Sequence, residues 1–234
     1  MQLFFNSNIS EKDTNFNFDK DESRHIVKVL RKNVGDTLHI TNGKGWLFEA
    51  ELTLAGMKHC SVTITSKVVQ AKRPFNLHLA VAPTKMNDRY EWFLEKATEI
   101  GVETITPLIC DHSERKIIKI ERFEKIIQSA IKQSKQCYLP KLNKPIAFKD
   151  FISQDFTNQK FIAHCEETDK KTLKSQLQKH KDCIILIGPE GDFSVKEIEM
   201  ALQHNFIPVT LGKTRLRTET AAIAACHSVA FTNE

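Results

Sequence analysis

The sequence lacks any apolar run that approaches the roughly 20 residues needed to span a bilayer. Its first residues contain no basic stretch followed by an apolar segment, so a signal peptide is not expected either. Both absences argue against the secreted and membrane-embedded classes of protein. The sequence therefore predicts a cytoplasmic protein that works away from membranes.

Paired metal ligands are also missing. The chain has six cysteines and nine histidines, but neither a Cys-x-x-Cys pair nor a His-x-x-x-His pair occurs. Without these spacings a zinc site or a disulfide framework is not expected. We predict no metal site, and we expect the cysteines to be small buried side chains in a reducing compartment.

The chain has little excess of charge of either sign. The formal net charge is +5 and 41% of the residues are hydrophobic, which is ordinary for a globular protein. A small positive excess is compatible with a polyanionic partner such as RNA, but it does not require one. Composition alone therefore leaves nucleic-acid binding open.

Residues 1–72 carry mostly strand-like patterns. Polar and apolar residues alternate over 36–41, and the Asn42-Gly43 pair that follows is typical of a hairpin turn. One helix, at 22–32, interrupts the strands, and Gly35 is its expected C-terminal cap. Several short strands with one helix predict a small barrel.

From Arg73 onward, short apolar runs alternate with helical patterns. A helix is expected at 87–100, ending before Gly101, and a strongly apolar strand at 183–187. Ser194, with Glu197 three residues later, has the spacing of a capping box at the start of another helix. This alternation predicts an α/β domain over residues 73–234, with a mostly parallel sheet between helices.

Two glycine-containing loops follow strands of this second domain. The first, 188–194, follows the apolar strand, and the second, 211–221, precedes the last helix. Ligands of open α/β sheets bind at the carboxyl ends of strands, so the two loops together could clasp a small ligand. Taken singly, the first could be a tight turn without a ligand, and the second a solvated basic loop with Thr218 as the N-cap. A nucleoside-triphosphate loop is excluded, because Ile207 stands where that motif requires its first glycine.

The two loops in combination resemble the signature of the RsmE family, bacterial 16S ribosomal RNA uridine N3-methyltransferases of the SPOUT superfamily. The likeness extends over nearly the whole chain. It is carried by Ile187-Gly188-Pro189-Glu190-Gly191, Leu211-Gly212, residues 215–221, Asp88-Arg89, residues 96–102, Ser113-Glu114-Arg115, residues 25–31 and Gly35-Asp36.

The resemblance implies an N-terminal PUA-like β-barrel that binds RNA, over residues 1–72. It implies a SPOUT-type, trefoil-knotted methyltransferase domain over residues 73–234, which binds S-adenosylmethionine (SAM) in the knot. The implied substrate is a uridine in 16S ribosomal RNA, within an assembled or nearly assembled small ribosomal subunit. A homodimer formed through the C-terminal domain is also implied.

The site residues are carried over from the same resemblance. We expect SAM to contact Ile187, Gly188, Pro189, Glu190, Gly191, Leu211, Gly212, Leu216, Arg217, Thr218, Thr220 and Ala221. Residues expected to contact RNA are Arg24, Arg31, Lys85, Arg89 and Arg115, although Arg89 and Arg115 could equally belong to surface charge pairs.

The chemistry assigns candidate roles to two residues at the start of the last helix. Uracil N3 must lose its proton to become a good nucleophile, so a carboxylate could accept the proton and a cation could stabilise the uracil anion. Glu219 and Arg217 are the respective candidates, and Glu219 could instead only order the loop.

The chain departs from the family pattern at Lys132, at Gln136 and at Asp192, where a glycine is common and where the aspartate could cap the next helix. Two rival functions remain. One is a SPOUT methyltransferase acting on another RNA, such as transfer RNA, and the other is a non-enzymatic RNA-binding adaptor.

Overall fold

The computed structural model describes residues 1–167 and 169–234. The chain separates into two units, the first made of Met1–Lys72 with Ile131–Leu139 and the second of Arg73–Ala130 with Pro140–Glu234. The first unit thus includes a segment that the sequence placed in the C-terminal domain. The domain boundary at residue 72 stays a prediction.

The first unit is built on a five-stranded sheet in the order β1-β3-β4-β5-β2. Apolar residues alternate along the long strands, so one face packs over a core in which Ile40, Phe48 and Leu52 are fully buried together with Ile26. The strands are β1 (Leu3–Phe5), β2 (Asn15–Asn17), β3 (Thr37–Thr41), β4 (Trp46–Ala55) and β5 (Cys60–Val69).

The hairpin expected at Asn42-Gly43 is confirmed, but its loop is longer than a two-residue turn. Thr41 pairs with Leu47, and residues 42–45 form the loop between β3 and β4. The side chain of Asn42 accepts hydrogen bonds from the backbone N–H groups of Lys44 (2.9 Å) and Trp46 (3.4 Å). These side-chain bonds stabilise a wider turn, because asparagine can replace a backbone acceptor there.

The helix of the first unit differs from the prediction at both ends. Helix α1 (Lys20–Arg24) begins earlier than expected, with Asp19 as its N-cap, and continues as a π-helical turn over His25–Val29. Arg31, at φ +54°, has the left-handed conformation found after a helix end, so the expected role of Gly35 as the C-cap is wrong. Gly35 lies in the turn before β3.

Among the described residues, eight further strands and six helices follow; they lie in the second unit, except that the end of the helix Ile120–Ser134, residues 131–134, belongs to the first. In chain order they are β6 (Leu77–Val81), α2 (Asn87–Ile100), β7 (Thr104–Ile109), α3 (Ile120–Ser134), β8 (Lys141–Leu142), β9 (Ile146–Ala147), α4 (Phe148–Ile152), β10 (Gln159–Ala163), β11 (Lys171–Thr172), α5 (Leu173–Gln176), β12 (Cys183–Ile187), α6 (Val195–Gln203), β13 (Ile207–Thr210) and α7 (Thr218–Asn233).

The predicted α/β sheet is confirmed. Its strands run in the order β11-β13-β10-β12-β6-β7-β8, and every strand pair in it is parallel. Every residue of β12 is buried, which explains its unbroken apolar run. Ile184 and Leu186 pack with residues of α4 and α6, whereas α2 and α7 pack together and α7 contacts β6 and β12.

This topology brings several loops to one edge of the sheet. Because β6, β7, β10, β12 and β13 are parallel, their carboxyl ends lie on the same side, and the loops that follow them meet there. The sharp start of α6, where the predicted capping box of Ser194 and Glu197 is present, sets the length of the loop after β12. The trefoil knot stays a prediction.

Candidate functional site

Two adjoining cavities lie where β10, β12 and β13 end. Their volumes are about 300 and 420 Å³. Together they are of the size expected for a small-molecule site. Both are lined by Ala163, Cys165, Arg215, Leu216 and Ala221. These shared walls make the two cavities parts of one cleft between the loops after the three strands.

The structure brings most of the residues expected to contact SAM to this cleft. Gly191 and Thr220 are the expected residues that are absent from the lining formed by the described part of the chain. The smaller cavity is lined by Ile187, Gly188, Pro189, Glu190, Arg217 and Thr218, and the larger by Leu211 and Gly212, while Leu216 and Ala221 line both.

The loop after β12 is packed tightly at its first residue. A Cβ atom at Gly188 would lie 3.1 Å from the ring and the backbone nitrogen of Phe193, so even a methyl group would require Phe193 to shift by a few tenths of an ångström. The hydroxyl of Thr218 donates a hydrogen bond to the Gly188 carbonyl over 3.1 Å, which ties the start of α7 to this loop. Arg217 is the N-cap of α7, so the alternative in which Thr218 is the N-cap is wrong.

Asp192 connects this loop to the loop after β10. Its Oδ2 accepts a hydrogen bond from the backbone N–H of Cys165 over 2.7 Å. Its φ of +64° is in the left-handed region, where glycine is unstrained and aspartate is tolerated, so either residue fits this position. Ser194 caps α6 as predicted, so the alternative in which Asp192 caps this helix is wrong.

Two further loops contact the loop after β12. Oε1 of Glu190 accepts a hydrogen bond from the backbone N–H of Lys85, over 2.9 Å, in the segment between β6 and α2. Nδ1 of His112, after β7, lies 3.1 Å from the Gly191 carbonyl and 3.0 Å from the Asp192 carbonyl. Carbonyls only accept, so Nδ1 of this histidine carries the proton. The bond from Lys85 turns the carboxylate of Glu190 toward the protein, although Glu190 also lines the smaller cavity.

The two candidate catalytic residues differ in burial. Arg217 is exposed and lines the smaller cavity. The side chain of Glu219 is only 9% exposed, and its Oε1 is 4.0 Å from Nε of Arg89. Oε2 of Glu219 is buried and has no hydrogen-bond partner among residues 1–167 and 169–234. Glu219 is not among the described residues that line either cavity.

The cations expected to contact RNA have varied surroundings. In the second unit, Arg89 faces Glu219, and Arg115 donates hydrogen bonds to backbone carbonyls of the segment before α2. Nζ of Lys85 is 2.8 Å from Oε2 of Glu114, whose hydrogen bond and negative charge raise the pKa of Lys85. In the first unit, Arg24 and Arg31 are exposed.

The sequence prediction missed the contribution of the loop after β10. His164, Cys165 and Lys170 line the larger cavity. Burial, and then the charge of Lys170, lower the pKa of His164, whereas burial and the charge of Asp192 raise the pKa of Cys165. The short apolar run at 161–165 was a signal for the strand but not for its place between β12 and β13.

All six cysteines are free, and five are buried as expected. Cys165 is the exception, because it is exposed at the cleft. The described residues include no group of His, Cys, Asp and Glu side chains arranged to bind a metal ion. Within the same residues, no helix combines the length and apolarity needed to cross a bilayer.

Two family models match the chain. One, described as an RNA methyltransferase domain, covers residues 71–230, and the other, described as an RNA methyltransferase PUA domain, covers residues 18–65. The predicted fold class, a PUA-like domain followed by an α/β methyltransferase domain, is confirmed by these matches and by the solved structures below. The trefoil knot is not part of this confirmation.

A named relative and two solved structures are similar to almost the whole chain. A ribosomal RNA small subunit methyltransferase E from Buchnera aphidicola subsp. Acyrthosiphon pisum is 35% identical over 219 residues, which are 90% of this chain and 85% of that relative. A probable rRNA-methyltransferase from Porphyromonas gingivalis has a TM-score of 0.92 at 38% identity, covering 100% of this chain and 98% of that one. A ribosomal RNA small subunit methyltransferase E from Neisseria gonorrhoeae, solved bound to S-adenosyl methionine, has a TM-score of 0.88 at 27% identity, covering 100% and 98%.

Proposed function

The chain belongs to the RNA methyltransferase family whose members include the ribosomal RNA small subunit methyltransferases E, and from this membership we propose its reaction. It is a SAM-dependent enzyme that methylates ribosomal RNA. We propose that the acceptor atom is N3 of a uridine in 16S ribosomal RNA. The observation that carries this proposal is the cleft between the loops after β10, β12 and β13, which lies in the domain matched by the methyltransferase model.

The residues of the cleft fit SAM chemically. Ile187, Leu211 and Leu216 offer apolar surface for a purine, while the loop backbone offers hydrogen-bonding groups for its polar edge. Gly188 has no side chain between its backbone and the cavity, so a ligand can approach that backbone closely. When bound, SAM supplies an electrophilic methyl group on sulfur.

The protein's own residues must prepare uracil for this transfer. We propose that Arg217, exposed at the smaller cavity, stabilises the negative charge that develops on uracil as the N3 proton leaves. Glu219 is the proposed acceptor of that proton. Its buried, unpaired Oε2 supports this role, because a buried oxygen without a partner is costly unless a ligand satisfies it. N3 lies on the Watson–Crick edge, so the target base must be unpaired and exposed to react.

The proposed role of Glu219 can be separated from an ordering role. Glu219→Gln preserves the shape of the side chain and removes its charge. If Glu219 accepts the proton, turnover falls on the order of a hundredfold while SAM affinity stays close to wild type. If the carboxylate instead orders the start of α7 through Arg89, Glu219→Gln and Arg89→Gln both weaken SAM binding and turnover together.

RNA is the proposed partner of both domains. The exposed Arg24 and Arg31 in the PUA-like unit, and the exposed Lys85 in the methyltransferase unit, are cations that fit phosphate groups. We propose that the RNA is presented within an assembled or nearly assembled small ribosomal subunit, which places the reaction in the cytoplasm. Arg24→Gln is expected to reduce RNA affinity and to lower the salt dependence of binding by about one phosphate contact.

A homodimer through the methyltransferase domain is also proposed. One face of α7 that is not fully buried carries small and apolar residues that line up along the helix, including Ile223, Ala224 and Phe231. Phe231 is 56% exposed and extends this apolar face toward the end of the helix. Light scattering should report a dimer for the wild type and a monomer for Phe231→Glu. A monomeric wild type would reject this part of the proposal.

Mapping of methylated bases tests the function as a whole. A methyl group on N3 blocks base pairing, so reverse transcriptase stalls at the modified uridine. Small-subunit ribosomal RNA from cells that lack the gene should lose one such stop, which reappears when the wild-type gene is restored. Loss of a methyl group from transfer RNA instead would favour the first rival function. No change in any RNA, together with no SAM binding, would favour the RNA-binding adaptor.

A further inference from the structure

The side chain of Arg115 binds the protein's own backbone. Its Nε donates to the carbonyls of Thr84 and Lys85, each over 3.2 Å, and its Nη2 donates to the Lys85 carbonyl over 2.6 Å. The planar guanidinium matches such a pair of neighbouring acceptors, which a lysine ammonium cannot reproduce. Arg115 therefore fixes the path of the segment between β6 and α2.

Lys85 transmits this contact through its backbone. Its N–H donates to Oε1 of Glu190 over 2.9 Å, and Glu190 lines the smaller cavity. The side chain of Lys85 takes no part, because its Nζ faces Glu114. Hydrogen bonds thus connect three residues from three different loops, Arg115, Lys85 and Glu190, and the last of them belongs to the wall of the cleft.

We propose that Arg115 is a positioning residue for the cofactor, acting through the Lys85 backbone and the Glu190 carboxylate to fix the loop after β12. This differs from the expectation, from sequence, that Arg115 contacts RNA phosphates. The proposal rests on the proposed function in taking SAM as the ligand of the cleft.

The expected consequence follows from the cost of ordering a loop. If the loop after β12 is fixed before the ligand arrives, SAM does not have to order it on binding. Without Arg115, the contacts to two carbonyls are lost and the segment before α2 no longer presents the Lys85 N–H in one place. Hydrogen bonds from a charged donor are among the stronger ones, so Arg115→Lys should weaken SAM binding about tenfold.

The hydrogen-bonded connection from Arg115 through the Lys85 backbone to Glu190 is called the relay below. Calorimetric titration of the protein with SAM tests it. Arg115→Lys and Glu190→Ala should each weaken SAM binding, and the double variant should be no weaker than the weaker single variant, because both remove the same connection. Lys116→Ala is the matched control, since it removes an exposed positive charge from the adjacent position. Lys85→Ala is a second control, because it leaves the backbone N–H in place. Both controls should bind SAM like the wild type.

Two parallel measurements distinguish positioning from other roles. RNA affinity and the melting temperature of Arg115→Lys should stay near the wild-type values. Wild-type SAM affinity in Arg115→Lys with weakened RNA binding would overturn the proposal and assign Arg115 to RNA. Losses that multiply in the double variant, or a large fall in melting temperature, would also overturn it. If the wild-type protein itself does not bind SAM, the proposed function fails, whereas a failure confined to Arg115→Lys rejects the relay alone.

Discussion

The loops after β12 and β13 line the same cleft but are fixed to the protein very differently. The loop after β12 contacts side chains or backbone from the segments after β6, β7 and β10 and from α7, through Lys85, His112, Cys165 and Thr218. In the loop after β13, residues 212–215 are all exposed, and Arg215 reaches the Glu190 carbonyl only at 3.5 Å.

This difference suggests that the two loops contribute to cofactor binding in different ways. A wall with many anchoring contacts is ordered before the ligand binds, whereas a wall with few contacts has lower local stability and can adjust. We therefore expect the loop after β12 to be the preformed half of the SAM site. We expect the loop after β13 to lose its mobility only when SAM binds.

The largest effect is expected at the start of the preformed loop. Gly188→Val would place side-chain atoms against Phe193, where a Cβ alone would lie 3.1 Å from the ring. Overpacking of this kind costs about 1–3 kcal/mol and displaces the loop, so SAM affinity should fall by up to about a hundredfold. Calorimetry measures the affinity, and circular dichroism checks that the chain still folds. Near-normal SAM binding would show that this loop adapts and would remove the contrast between the two walls.

Arg217 tests whether the second loop contributes chemistry as well as binding. Because its exposed side chain lines the smaller cavity, Arg217→Ala should lower kcat on the order of a hundredfold, with a much smaller effect on SAM affinity. Single-turnover methylation assays give the rate and a SAM titration gives the affinity. Equal losses of rate and of SAM affinity would mean that Arg217 only lines the cofactor site and has no catalytic role.

The corresponding glycine of the second loop should be more tolerant. A Cβ at Gly212 would meet no atom within 4 Å, but its φ of +156° disfavours other residues. Gly212→Ala is therefore expected to cost about 1 kcal/mol, which is about a fivefold loss of SAM affinity. A loss as large as that of Gly188→Val would mean that the second loop is as rigidly built as the first.

A small effect is expected when one anchor of the first loop is removed. His112→Ala deletes the donor to the Gly191 and Asp192 carbonyls, but the histidine is exposed, so water can replace it. The expected loss of SAM affinity is about threefold, because a replaceable hydrogen bond contributes little net stability. A loss approaching that of Gly188→Val would identify His112 as the principal anchor.

The sequence predicted the features of the methyltransferase unit that depend on local chemistry. The strand at 183–187 has the expected bounds because its apolar run is buried on both faces, and helix α2 ends where Gly101 adopts φ +106°. The residues expected to contact SAM were carried over from the family resemblance, and most of them lie along the cleft after β12 and β13.

The order of the strands in the sheet and the contacts between loops depend on residues far apart in the sequence, and no local pattern encodes them. Nothing in the segment 161–165 indicates that β10 lies between β12 and β13, so the contributions of His164 and Cys165 to the cleft were missed. Likewise, the hydrogen bonds of Arg115 to backbone carbonyls of another loop leave no signature in the sequence, so they were not predicted. The end of the helical segment in the first unit was misplaced because Arg31, rather than a glycine, takes the left-handed position after the π-helical turn.

Hydrogen exchange with and without SAM tests the contrast between the two loops most directly. In the free protein, peptides covering residues 188–192 should already exchange slowly, while peptides covering residues 211–217 should exchange fast and become protected when SAM is added. If neither segment responds to SAM while peptides elsewhere become protected, the cofactor does not bind in this cleft and the account is contradicted.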